Sequence, residues 1–129
     1  MHFRFKKHYT REEARALLPA IRKWLQQLQK VRGWLADADR ELEEMVNKGS
    51  DLGGDKVNGW VKGLCQLKKI AGEFESREIQ LKDLDRGLID FPAVVGGKEV
   101  FLCWEQDEDD IEYWHDLETG YAGRERLPE

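Results

Sequence analysis

Nowhere in this sequence do apolar residues run unbroken for the roughly 20 positions that cross a bilayer, and its start, MHFRFKKHYT, lacks the apolar stretch of a secretory leader. A cytoplasmic protein without membrane contact is therefore expected. Cysteine is scarce, with only Cys65 and Cys103 in 129 residues. A reducing compartment leaves both as thiols, so no disulfide is expected. There is no C-x-x-C or H-E-x-x-H, and the acidic stretch at 105–110 lacks the D-x-D-x-D-G frame and closing Glu of a calcium loop. Low-complexity tracts and internal repeats beyond a helical periodicity are also missing, so the chain is no repeat array.

What is present is a chain with 40% hydrophobic residues, 36% charged residues and five tryptophans. That composition excludes disorder, and the length suits one domain over residues 1–129. The net charge of −5 conceals an asymmetry: residues 1–82 carry 17 Lys+Arg against 12 Asp+Glu, or +5, and residues 83–129 carry 4 against 14, or −10. Such a split favours the acidic part packing near basic surface of its own chain or of a partner subunit, and argues against a molecule that coats nucleic acid.

Thr10 and Glu13 form a T-x-x-E capping box, which starts a helix. From there Leu17, Ile21, Trp24, Leu28, Val31, Leu35, Ala38, Leu42 and Met45 alternate in steps of three and four, predicting a helix over about 11–47 with a bend near Pro19. The glycine-rich stretch 47–55 is read as a turn. Val57, Trp60, Leu64, Leu67, Ala71 and Phe74 then continue the pattern to about Ser76. Two such seams predict an antiparallel, coiled-coil-like helical hairpin over 10–76, with the start of the longer helix overhanging the shorter. Gly59, Gly63 and Gly72 on the second helix either admit another backbone, as on a self-association face, or merely tolerate exposure.

After Ser76 the period becomes two, predicting a β-rich head over 77–129 at the hairpin's open end. Asp83 and Asp85 before Gly87 read as a tight turn, and Gly96-Gly97 as a two-residue hairpin turn between strands 88–95 and 98–104. Pro92 calls for an edge or for a position facing away from the ladder. A further strand is expected at 111–116. Phe3 and Phe5 alternate with Arg4 and Lys6 as an N-terminal strand or arm over 1–9. With Lys7 and Tyr9 they could stack bases, though a short edge strand guarded by cations is the simpler account. The fold class is α+β, with a mostly antiparallel sheet.

If Val95 pairs with Lys98, then Ile89, Phe91, Ala93, Val100, Leu102 and Trp104 form an apolar face, and Asp90 lies across from Cys103 on the other. Placing Trp114 with Trp104 sends Tyr113 and His115 to the side of Cys103. One register thus gathers Asp90, Cys103, Glu105 and His115, the ligand types of zinc or another transition metal and of a thiol–imidazole pair. His2 and His8 join only if the N-terminus folds back. Arg86, Arg124 and Arg126 are candidates to bind an anion.

YTREEARALLP, KDLDRGLIDFP, LCW, YWHD and GYAGR together resemble an uncharacterised prokaryotic family, the domain of unknown function 2203, over nearly the whole chain. The resemblance implies a small cytoplasmic protein and carries no activity, substrate or cofactor. A Gly-Glu pair common in that family after LCW is Asp107-Glu108 here. The residues themselves support, as the leading functional reading, a non-catalytic interaction module that forms a homo-oligomer, most simply a dimer, through its helices, and as its alternative a metal-binding protein or metal-dependent enzyme using the Cys103–His115 face. Anion or nucleic-acid binding through the arginines is a weaker third.

Overall fold

The computed structural model describes residues 2–49 and 54–128. Helix α1 spans Arg11–Asn47 and α2 spans Gly54–Glu75. Residues 50–53, the centre of the expected glycine-rich turn, lie outside the described residues. The capping box forms as read: the Glu13 amide donates to Thr10 Oγ1 at 3.1 Å and the Thr10 amide to Glu13 Oε1 at 3.1 Å. The α1 helix passes Pro19 unbroken. Arg15, whose carbonyl loses its bond there, is an exposed residue.

Five strands follow: β1 Gln80–Asp83, β2 Leu88–Val95, β3 Lys98–Glu105, β4 Tyr113–Asp116 and β5 Glu125–Arg126. They lie in the order β1-β2-β3-β4-β5, every neighbouring pair antiparallel. The β2–β3 register is the expected one, Val95 against Lys98 and Asp90 against Cys103. Gly96 and Gly97 take φ of 59° and 79°, which a two-residue turn of the right twist requires. The apolar face, with Ile89, Phe91, Val100, Leu102 and Trp104, packs on Ala14, Leu18, Ile21, Leu25 and Leu28 of α1.

The buried faces of the helices differ from the predicted seams. Ala14, Leu18 and Leu25, absent from the predicted seam, are buried, whereas Leu17 and Trp24 are only half-buried. The first half of α1 serves two partners, the sheet and α2, and so needs a wider apolar arc than a single seam provides. On α2 the predicted Val57, Leu64 and Ala71 are exposed, and the buried positions are Gly63, Ile70 and Phe74. Gly63 admits no partner backbone: a Cβ there would lie 2.5 Å from the ring of Trp34, which rests on Gly63 and Gly59. Gly72 faces open space.

No strand forms at Phe3–Phe5. The arm is held by carboxylates instead: the Arg4 and Phe5 amides donate to Glu99 at 2.7 and 3.0 Å, and the Lys6 and Lys7 amides to Glu78 at 3.0 Å each. The Tyr9 amide then donates to the Pro92 carbonyl at 2.7 Å. That carbonyl and the proline nitrogen point to the same open edge, which can accept a bond but has no N–H to continue a ladder. Glu78 is the only non-glycine residue at positive φ among the described residues, at 58° in the turn that closes α2. Its anchoring of the arm offsets the roughly 1 kcal/mol that a left-handed side-chain-bearing residue costs.

The charge asymmetry is resolved within the chain. Along α1, Arg15 holds Asp110 through a forked pair at 2.8 and 3.0 Å, Arg32 holds Asp85 at 2.7 Å, and Arg22 donates to the carbonyls of Gln106 and Glu108 at 2.9 Å each. The Arg15 hydrogen bonds keep the Asp110 carboxyl below its ordinary range. The acidic stretch 105–110 is thus in large part pinned to the helix. Among the described residues no helix is long and apolar enough to cross a membrane.

Candidate functional site

The centre of the sheet's second face is buried. Pairing of Cys103 with Tyr113 and of Phe101 with His115 brings Asp90, Phe101, Cys103 and His115 to that side. Asp90 and His115 are each 2% exposed and Cys103 is fully enclosed. One ligand-type atom from each of Asp90, Cys103 and His115 lies within 4.8 Å of the other two.

Hydrogen bonding orients the imidazole. His115 Nδ1 is 2.7 Å from the Asp116 carbonyl, which can only accept, so Nδ1 carries a proton. Nε2 therefore faces Asp90 Oδ2, at 3.0 Å. Burial opposes a charge on His115, but the bonds to Asp90, Cys103 and the Asp116 carbonyl outweigh it and push its pKa up to about 10. These bonds favour the protonated imidazole, facing Asp90. One acceptor is left over: Asp90 Oδ1 is buried and has no hydrogen-bond partner. Such an orphan costs about 1–3 kcal/mol, more for a charged group.

Glu105 does not join the cluster. Its carboxylate is held by Arg86 at 2.7 Å and by the Tyr121 hydroxyl at 3.3 Å. The arm does fold back, as any role for the N-terminal histidines required, but His8 Nε2 meets Glu99 at 2.7 Å instead, and His2 is exposed. Burial works against the Glu99 carboxylate; His8 and the two arm amides more than compensate and lower its pKa.

The three candidate arginines do converge, in a ladder of alternating cations and rings. Arg86 and Arg124 lie over Tyr121 at 4.2 and 4.3 Å, and Arg124 and Arg126 over Tyr113 at 3.9 and 5.7 Å. Each already meets a carboxylate: Arg86 meets Glu105, Arg124 meets Glu108 at 2.7 Å, and Arg126 meets Glu112 at 3.7 Å. That arrangement spends their charge inside the chain and leaves little for an external anion. Arg124 also donates toward Cys103 Sγ at 3.9 Å. Asp83 accepts from the Arg86 amide at 3.2 Å and Gly87 has φ of 63°, so this turn is structural as read, while Asp85 pairs with Arg32. Cys65 is exposed on α2, and both cysteines are free.

Beside the cluster is a cavity of about 290 Å³ with Asp90 and His115 in its lining, together with Lys82, Leu88, Phe101 and Tyr121. Lys82 and Tyr121 escaped sequence reasoning. The β1–β2 register shifts between Leu81 and Asp83, and the Lys82 ammonium lies 5.4 Å from the Phe101 ring centre. Strand alternation alone places Lys82 on Asp90's side of the sheet; the shift was not visible in the sequence.

Fold and site together define an α+β protein whose helical hairpin supports a five-stranded antiparallel meander with a polar cluster under one face. The chain belongs to the family described as "Uncharacterized conserved protein (DUF2203)", which matches residues 7–127. The segments that carry the resemblance, LIDFP, LCW, YWHD and GYAGR, supply Asp90, Cys103, His115 and the Tyr121–Arg124 arch over them. No curated protein and no solved structure matches the chain.

Proposed function

We propose that this protein binds a transition metal ion, zinc first among candidates, through Asp90, Cys103 and His115, with the helical hairpin as its scaffold. The observation that carries this reading is the buried, unpartnered Asp90 Oδ1 beside a thiol and an imidazole. The mixed sulfur, nitrogen and oxygen donor set suits zinc or cobalt better than magnesium or calcium. The bond from His115 Nδ1 to the Asp116 carbonyl is the outer support that metal-ligating histidines use to present Nε2. Donors around tetrahedral zinc stand about 3.3–3.7 Å apart given bonds of about 2.0–2.3 Å, so closure on the ion asks for movements of about 1 Å, for His115 Nε2 to exchange its bond to Asp90 for the metal, and for the Nε2 and Cys103 thiol protons to leave to solvent as the ion enters. A cytoplasmic setting, which keeps Cys103 reduced, belongs to the same proposal.

The test is elemental mass spectrometry of tag-free protein after zinc loading and desalting. About one equivalent per chain is expected, falling to background in both Cys103→Ser and His115→Gln. A metal-free wild type, or variants that retain zinc equally, would sink the reading.

A second reading, self-association, is favoured by a different observation. Val57, Val61 and Leu64 follow one another at helical spacing on α2 and are 38%, 52% and 55% exposed. A second copy packing its own hairpin there would give a homodimer. Sedimentation velocity is expected to show a dimer that Leu64→Glu converts to monomer; a strictly monomeric wild type at high concentration rules this reading out.

A further inference from the structure

The structure points to a ligand for the cavity itself, and we infer that it admits a small carboxylate-bearing molecule whose carboxylate bridges the bound metal and Lys82. This rests on the metal-binding reading and adds what the site would take. Asp90, Cys103 and His115 supply three donors, whereas zinc takes four. Closed structural sites fill all four positions from protein, and a three-ligand set leaves one for water or an exogenous group. Asp90 and His115 also line the cavity whereas Cys103 is fully enclosed, which makes the cavity side the route by which a further ligand would reach the ion in this reading.

The remaining charged groups around this space select the ligand's sign. Lys82 is on the wall, and among the described residues its ammonium has no carboxylate within ion-pair reach; it lies over the Phe101 ring instead. Glu118 also borders the cavity, but it pairs with Arg4 at 2.5 Å and its side chain is 81% exposed. Asp90 and His115 are the metal's own ligands in this reading. An anionic head is therefore favoured between metal and ammonium, and the ring of Phe101 with the side chain of Leu88 offers an apolar wall for a short tail. A space of about 290 Å³ suits a small, short-tailed ligand.

Cobalt(II) makes both layers visible, since its absorption reports the ligands around it. The full chain would be titrated with cobalt, then with propionate, with propionamide as the uncharged control. Stoichiometric cobalt binding is expected, followed by a saturable spectral change with propionate and none with propionamide. Lys82→Gln, a change on an exposed side chain, is expected to take up cobalt with the same spectrum and to bind propionate at least tenfold more weakly. If cobalt binds but propionate leaves the spectrum unchanged, or acts equally on wild type and Lys82→Gln, the ligand inference is overturned and the metal reading stands. If cobalt does not bind, or binds equally to Asp90→Asn and Cys103→Ser, both fall.

Discussion

Replacing His115 with alanine is expected to destabilise the metal-free fold by about 3–5 kcal/mol, the cost of leaving a buried charge without its partner. Asp90 is 2% exposed, one of its oxygens already has no partner, and the other depends on His115 Nε2 at 3.0 Å. Denaturant unfolding would read the loss as a lower midpoint at unchanged slope. Adding Asp90→Ala to His115→Ala should recover part of it, because removing both members of a buried pair is gentler than removing one. A loss below about 1 kcal/mol for the single variant would remove the argument that the free Asp90 oxygen awaits a cation.

Stability should also fall as pH rises from near neutral toward about 10. The His115 pKa is raised from 6.5 to about 10, so the folded state holds a proton that the unfolded chain has released. Its contribution is complete below about pH 6.5 and declines through that window by up to about 1.4 kcal/mol per pH unit, for a total on the order of 3–5 kcal/mol. Lysines and tyrosines begin to titrate near the upper end, so the slope belongs to His115 only by difference. His115→Gln, which keeps a polar side chain without a titrating ring, should flatten the curve of unfolding free energy between pH 7 and 9. Parallel curves for the two proteins would show that the pair does not form an ion pair in solution.

Elements governed by neighbours in sequence were legible in the sequence alone. The Thr10–Glu13 box, the span of α1, the Gly96-Gly97 turn and the whole β2–β3 register follow from capping, periodicity and a two-residue loop that leaves one pairing. That register carried the candidate site with it: once Asp90 opposes Cys103 and Trp114 lies with Trp104, His115 must come to the same side. The chain's sequence thus determined its class, its hairpin and sheet, and the meeting of three of the four proposed ligands.

Tertiary structure decided the rest, because the deciding groups are far apart in the chain. Glu105 had the correct face but was claimed by Arg86 and Tyr121, and strand alternation says nothing of which partner a long side chain reaches. The N-terminal arm had a strand's alternation, yet Glu99 and Glu78 took its amides. Leu64 fitted a heptad and is exposed, since a repeat names a face without naming what covers it. Burial of the Asp90–Cys103–His115 cluster is of the same kind. Only when residues 117–124 fold over the sheet does a row of polar positions on a strand become an enclosed site with an unsatisfied oxygen.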